Sequence, residues 1–199
     1  MTRGDVDDLL GTAWITDAHI DAYAVFLGSK QSRSSDGMKS FLYVSPKHAY
    51  YKSNKVANSK ILLSHITLAS VTASDVVLMP CHVSSHWTLL VCRQKEQCWD
   101  FYDSFKSGRH RSNLPDLVQF HTRGGSEALA ADIIMWPINE APNLPQQDNG
   151  DDCGLFVMKF MEEALSAETI SWQEKRIGIK RCHNFVQKSQ RIFFGLFQT

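Results

Sequence analysis

The chain has 199 residues, of which 43% are hydrophobic and 21% are charged, so it can form a single globular domain with a substantial core. Lys plus Arg and Asp plus Glu both number 21, and the resulting net charge of zero argues against nucleic acid or a membrane surface as the main partner. No apolar run is long enough to cross a bilayer, and the opening residues lack the pattern of a secretory signal. The five scattered cysteines are therefore expected to be reduced thiols.

The first part of the chain combines one clear helix with weaker signals. Apolar residues at helical spacing predict a helix over residues 13 to 28, which begins near Thr16 or Asp17 and has a glycine at its end. The polar residues 29 to 37 predict a mobile surface loop. Residues 40 to 44 predict a short strand, and a serine followed by a proline then predicts the start of a short helix.

The middle of the chain is β-like. Residues 75 to 80 form an apolar run that ends in proline, which predicts a short strand. Residues 86 to 93 and 97 to 104 flank a turn-like Gln-Lys-Glu segment, and this arrangement predicts a β-hairpin. A helix over residues 113 to 121 and a strand over residues 132 to 138 are predicted to follow.

The last part begins with the segment PQQDNGDDCGLFVMKFMEEAL at residues 145 to 165, which predicts a sharp turn followed by a largely buried helix capped by Asp152. Residues 171 to 194 have a helical pattern whose basic residues we interpret as a solvated face. Helices, then strands with an inserted helix, then helices predict an α+β domain, with helices packed on a mixed or antiparallel sheet.

Cys153 lies in the first turn of that predicted helix. Unpaired backbone N–H groups and the positive end of the helix dipole stabilise a thiolate there. The adjacent Gly154 suggests that another group approaches the backbone closely. A nucleophilic cysteine and a buried structural cysteine are both compatible with this segment alone.

Candidate partners for the thiol lie elsewhere in the chain. His86 begins one strand of the predicted hairpin and Asp103 follows the other, so pairing of the strands would make them neighbours. The amide of Gln146 or Gln147, with the backbone N–H of Cys153, could bind the oxyanion of an acyl-transfer reaction. Taken singly, His86 and Asp103 are better explained as an ordinary strand-end residue and a turn former, and the alternative for both glutamines is a place on the loop surface.

Four pieces in order, WITD at residues 14 to 17, HWTLLV, YDS and QQDNGDDCG, resemble the Ulp/sentrin-protease family. These are SUMO and ubiquitin-like-protein-specific cysteine proteases of the papain-like superfamily. The resemblance covers nearly the whole chain, and it implies one protease catalytic domain over residues 1 to 199. It also implies a papain-like fold with the nucleophile at the N-terminus of a central helix.

The resemblance implies a role for each matching polar residue. Cys153 matches the nucleophile and His86 the general base and acid. Asp103 matches the carboxylate that orients the imidazole. Gln147, by its spacing to Cys153, matches the glutamine of the oxyanion hole.

The resemblance also implies a substrate-binding set. Trp14 and Trp87 match the walls of a narrow tunnel that admits only a Gly-Gly tail, and Asp17 matches a residue that engages the body of the ubiquitin-like protein. This chain departs from the family pattern in two places. Ile15-Thr16 replaces the usual Leu-Asn, and Asp151 replaces a serine, tyrosine or similar residue. A carboxylate at residue 151 would oppose ionisation of the nearby thiol.

The expected activity is cleavage after the C-terminal Gly-Gly of a ubiquitin-like protein, SUMO first, either from lysine conjugates or from a precursor. We expect a monomer of the nucleus or cytoplasm that uses no cofactor or metal and binds neither nucleic acid nor membrane. The alternatives are a NEDD8- or ubiquitin-directed protease, an acetyltransferase of the same superfamily, and a module that binds ubiquitin-like tails without cleaving them. A zinc site is a further alternative, with irregularly spaced candidate ligands Cys81, His82, His86, Cys92 and Cys98.

Overall fold

The computed structural model describes residues 14–33, 37–46, 71–83, 85–105 and 135–166. They form two helices and five strands, namely α1 (Asp17–Arg33), β1 (Phe41–Tyr43), β2 (Val76–Val83), β3 (His86–Arg93), β4 (Cys98–Tyr102), β5 (Ile138–Glu140) and α2 (Cys153–Leu165). The strands make one sheet in the order β1-β2-β3-β4-β5. The outer pairs β1–β2 and β4–β5 are parallel and the inner pairs are antiparallel. This mixed sheet with packed helices confirms the predicted α+β class.

Strand β3 lies at the centre of the sheet, and all of its residues except the last are buried. Trp87, Leu89 and Val91 point toward the core that the two helices cover, whereas Leu90 and Cys92 join a second apolar cluster. Successive side chains of a strand point to opposite faces, so burial of both sets requires a continuous hydrophobic run. That run is the HWTLLVCR segment. Its pairing with β4 confirms the predicted hairpin.

Helix α2 packs chiefly on β3. Its buried residues recur every three or four positions and include Phe156, Phe160 and Met161. This apolar face fixes the helix against the sheet. Cys153, its first residue, is thereby held in a defined position.

Helix α1 is longer than predicted. It continues past Gly28 to Arg33, so the predicted loop over residues 29 to 37 is wrong for its first five residues. A single glycine costs a helix only about 1 kcal/mol. Here the Ser32 hydroxyl donates to the Gly28 carbonyl at 3.1 Å, and the amide of Gln31 donates to the Lys39 carbonyl at 2.8 Å.

Two strand boundaries also differ from prediction. Strand β2 continues through Pro80 to residue 83. It can do so because β1 pairs with β2 only as far as Leu78, and the missing N–H of the proline breaks no bond on that side. The strand predicted over residues 132 to 138 is wrong at residues 135 to 137, which are not in a strand, and β5 begins only at Ile138.

The helices predicted after Pro46, over residues 113 to 121 and over residues 171 to 194 lie outside the described residues. In the described part of the chain, neither helix has the length and apolarity needed to cross a membrane.

Candidate active site

The loop before α2 is organised by Asn149. Its side-chain oxygen accepts hydrogen bonds from the backbone N–H groups of Asp151 at 3.0 Å and Asp152 at 3.1 Å. Its amide nitrogen donates to the carboxylate of Asp152 at 2.9 Å. Asp152 occupies the N-cap position, as predicted, but its carboxylate makes no capping hydrogen bond and accepts from Asn149 instead. Cys153, the first residue of α2, lies beside the backbone N–H groups of that first turn.

His86 and Asp103 lie at the open end of the β3–β4 hairpin, opposite its turn. Nε2 of His86 is 2.7 Å from Oδ1 of Asp103, and both side chains are nearly buried, with 11% and 13% exposed. The same carboxylate oxygen accepts the backbone N–H of Phe105 at 2.8 Å. The carboxylate is thus held in place from two directions, and it fixes the orientation of the imidazole ring.

The imidazole of His86 also shares a side-chain hydrogen bond with Cys153. Because Nε2 faces Asp103, the other ring nitrogen, Nδ1, is left for the sulfur. Burial lowers the pKa of His86, but the hydrogen bonds and charges of Asp103 and Cys153 outweigh it and raise the pKa to about 9. The ring therefore remains protonated at neutral pH, which stabilises a thiolate next to it.

Gln147 has its side-chain amide held in one orientation. Its oxygen accepts from the hydroxyl of Ser104 at 2.6 Å, and its nitrogen donates to the Asn149 carbonyl at 2.7 Å. Its backbone N–H also donates to the Ser104 carbonyl, at 3.0 Å. An amide nitrogen carries two hydrogens, and the bond to Asn149 uses one of them. The other glutamine candidate, Gln146, is exposed on the loop surface.

Ser104 and Asn149 are the site residues to which the sequence analysis assigned no role. Ser104 is 1% exposed, and its hydroxyl and carbonyl both bond to Gln147. The sequence feature that could have indicated Ser104 is the Tyr-Asp-Ser triplet, in which only Asp103 was given a function. Asn149 lies in the sharp turn predicted ahead of α2, and its bonding to two successive N–H groups is the reason that asparagine favours turns.

Residues 14 to 16 cross the start of α2, and we call them the strap. The indole N–H of Trp14 donates to the carboxylate of Asp151 at 3.0 Å. The indole N–H of Trp87 donates to the carbonyl of Ile15 at 2.8 Å. Trp87 is 4% exposed, whereas Trp14 is 51% exposed. Both tryptophans therefore bond near one short segment beside Cys153, Trp87 from the core and Trp14 from the surface.

Gly154 allows the strap to lie this close. A Cβ built on Gly154 would be 2.3 Å from the Cβ of Ile15 and 2.6 Å from its Cγ2, well inside contact distance. The close approach that the glycine suggested is made by a side chain of the same chain, not by a ligand.

Asp17 begins α1, where its carboxylate accepts the backbone N–H of Ala18 at 3.0 Å. The imidazole of His82 packs on the ring of Trp87, with centroids 4.6 Å apart. Burial and the nearby His86 lower the pKa of His82, while the negative charge of Asp17 acts in the opposite direction. Asp17 therefore lies within electrostatic range of the histidine pair at this end of the sheet.

No group of three metal-binding side chains is positioned to hold an ion in the parts of the chain that are described. Among the described residues, Cys81, Cys92, Cys98 and Cys153 form no disulfide. The zinc alternative thus has no geometric support among these residues.

The sequence matches the family described as the Ulp1 protease family, C-terminal catalytic domain, over residues 13–192. A sentrin-specific protease of Caenorhabditis elegans is 28% identical over 185 residues, which cover 89% of this chain and 25% of the relative. Ubiquitin-like-specific protease 1A of Arabidopsis thaliana is 29% identical over 162 residues, which cover 75% of this chain and 31% of the relative. The chain thus spans only a third or less of the length of these relatives.

The fold is also similar to that of solved structures. A structure of the SUMO protease Ulp1, with its catalytic cysteine oxidized to a sulfonic acid, superimposes with a TM-score of 0.67 at 15% identity. The match covers 94% of this chain and 81% of that one. At this identity the likeness establishes the fold, while the sequence match over residues 13–192 establishes the family. The chain belongs to the Ulp1 protease family and carries the sequence of its C-terminal catalytic domain.

Proposed function

We propose that this chain is a cysteine protease domain that cleaves after the C-terminal Gly-Gly of a ubiquitin-like protein, with SUMO as the preferred substrate. The observation that carries the proposal is the linked set at the start of α2. There, the imidazole of His86 bonds to Asp103 at 2.7 Å and also to the thiol of Cys153. Sulfur, imidazole and carboxylate in this order are what nucleophilic acyl transfer requires.

The proposed reaction begins with Cys153 as a thiolate paired with the imidazolium of His86. The sulfur attacks the carbonyl carbon of the terminal glycine, and the resulting oxyanion is bound by the amide of Gln147 and the backbone N–H of Cys153. When the tetrahedral intermediate collapses, the C–N bond breaks and His86 gives its proton to the leaving amine. The neutral His86 then takes a proton from a water molecule whose oxygen attacks the thioester carbonyl. The C–S bond breaks, which releases the glycine carboxyl group and restores the thiolate–imidazolium pair.

The substrate assignment is supported by the names of similar proteins. The relatives are described as sentrin-specific and ubiquitin-like-specific proteases, and the similar structure as a SUMO protease. We further propose that Trp14 and Trp87 are the walls of a slot for the Gly-Gly tail and that Asp17 contacts the body of the ubiquitin-like protein. Flat aromatic walls exclude any residue larger than glycine, which would explain a diglycine requirement.

We also propose that residues 1 to 199 form one catalytic domain and that the protein is a monomer that acts in the nucleus or cytoplasm.

The test is a panel of SUMO, NEDD8 and ubiquitin reporters, each carrying a fluorogenic amide at its C-terminus. We expect the SUMO reporter to be hydrolysed fastest, and Cys153→Ala and His86→Ala to abolish hydrolysis. Cys98→Ala is the matched control and should retain activity, because it removes a different, partly exposed thiol. A SUMO with a C-terminal electrophile should form an adduct with the wild-type protein but not with Cys153→Ala.

Preference for the NEDD8 or ubiquitin reporter would reassign the substrate within the same chemistry. Absence of both hydrolysis and adduct with all three proteins, in a folded and reduced sample, would refute the protease assignment.

A further inference from the structure

The indole ring of Trp14 is held by a hydrogen bond to a residue that is distant in the sequence, Asp151. Its ring is 51% exposed, so packing restrains it weakly, yet its indole N–H donates to Asp151 at 3.0 Å. Asp151 is itself held, because its backbone N–H donates to the side chain of Asn149 at 3.0 Å. The orientation of this exposed ring therefore depends on the carboxylate of a residue that lies two positions before the nucleophile.

The rest of the strap is held independently of Asp151. The carbonyl of Ile15 accepts the indole N–H of Trp87 at 2.8 Å in a buried bond, and the Ile15 side chain lies against Gly154. The backbone N–H and hydroxyl of Thr16 both lie 3.0 Å from Nδ1 of the buried His19. Loss of the Asp151 carboxylate should therefore release the ring of Trp14 and leave the strap backbone in place.

We propose that Asp151 is a positioning residue that fixes Trp14 as one wall of the tail slot and so sets how strictly the slot selects glycine. The inference rests on the proposed function, and it assigns a role to a residue that departs from the pattern of the family. A fixed wall excludes a methyl group, whereas a mobile ring can move aside for one. Asp151 then affects tail binding and selection more than the chemical step.

Two variants separate the hydrogen bond from the charge. Asp151→Asn keeps a side-chain oxygen that can accept the indole N–H but removes the negative charge. Asp151→Ala removes both. Trp14→Phe removes the donor and keeps a ring. Asp148→Ala removes an exposed carboxylate from the same loop and is the matched control.

The kinetic test compares reporters that end in Gly-Gly with reporters in which the penultimate glycine is alanine. In Asp151→Ala we expect KM for the Gly-Gly reporter to rise roughly two- to tenfold, the range of one hydrogen bond, with kcat nearly unchanged. The ratio of kcat/KM for the Gly-Gly reporter to kcat/KM for the alanine reporter should fall. Asp151→Asn and Asp148→Ala should resemble wild type. Trp14→Phe should match Asp151→Ala, and the double variant should be no worse than either one, since both remove the same bond.

A second measurement does not depend on activity. The indole N–H resonance of Trp14, assigned by its loss in Trp14→Phe, should shift in Asp151→Ala and stay near its wild-type position in Asp151→Asn. A resonance unmoved in Asp151→Ala would overturn the inference. The inference would also be overturned if Asp151→Ala cleaved the Gly-Gly reporter with the wild-type KM and kept the wild-type preference for it over the alanine reporter. A loss of kcat in both Asp151→Ala and Asp151→Asn would overturn it as well, because it would assign the effect to charge. A wild-type protein that cleaves no reporter would instead overturn the proposed function, and this inference with it.

Discussion

Gly154→Ala tests whether the contact between the strap and α2 is as close as the structure indicates. The added Cβ would be 2.3 Å from the Cβ of Ile15, while ordinary contact begins at 3.4 Å, so the two groups must separate by about 1 Å. Neither atom is the end of a flexible side chain, and the strap backbone or the helix itself has to move. Overpacking of a core typically costs about 1–3 kcal/mol, and this geometry places the variant near the upper value.

Replacing glycine by alanine stabilises a helix interior by about 1 kcal/mol. Gly154 is only the second residue of α2, so this gain offsets little of the overpacking cost. For a chain of this size, about 3 kcal/mol corresponds to a fall in Tm of roughly 6 to 12 °C. The displaced strap also carries the Ile15 carbonyl away from Trp87, and a misplacement of about 1 Å in an active site costs on the order of 100-fold in rate.

Thermal unfolding followed by circular dichroism and kcat/KM with the SUMO reporter are the two measurements. Gly150→Ala is the matched control, because nothing lies within 4 Å of a Cβ at that position. Ile15→Ala should not rescue Gly154→Ala, since alanine retains the Cβ that makes the shortest contact. A Gly154→Ala protein as stable and active as Gly150→Ala would show that the strap does not lie against α2 in this way.

Four further predictions concern residues of the site. His86, with a pKa raised from 6.5 to about 9, stabilises the fold in full below pH 6.5, and this contribution is lost as the pH rises through about 9. Denaturation of wild type and Asp103→Ala across pH should therefore show a stability difference that is widest below pH 6.5 and narrows toward pH 9, and a pH-independent difference would contradict it. Trp87→Ala should lower the free energy of unfolding by about 3–5 kcal/mol, because the ring is buried, and an unchanged Tm would count against the packing described. Gln147→Ala should lower kcat roughly 100- to 1,000-fold, and Ser104→Ala should lower it less with KM unchanged, because the amide of Gln147 stays but loses its anchor. A Ser104→Ala protein with wild-type kcat would show that Ser104 does not position the amide of Gln147.

The parts of the fold that the sequence predicted are those set by local signals. The β3–β4 hairpin follows from two apolar runs around a turn, and it alone brings His86 next to Asp103. The start of α2 follows from turn formers ahead of good helix formers. Both signals lie within about twenty residues, so they require no knowledge of the tertiary structure.

The parts that were missed depend on contacts between distant residues. Trp14 and Asp151 are 137 positions apart, and Ser104 and Gln147 are 43 apart. Nothing local to Asp151 indicates that an indole will bond to it, so the sequence presented it only as a charge near the thiol. The continuation of β2 through Pro80 likewise depends on where its neighbour β1 ends.

The turn that joins β3 to β4 offers a place to attach a reporter group without disturbing catalysis. Residues 94 to 97 form it, and Lys95, Glu96 and Gln97 are exposed. Strand β3 has eight residues, so at about 3.3 Å per residue the turn is roughly 23 Å from the histidine at the other end. A dye or short peptide inserted there would face solvent, and energy transfer to a labelled ubiquitin-like protein would test whether the substrate binds at the opposite end of the strand.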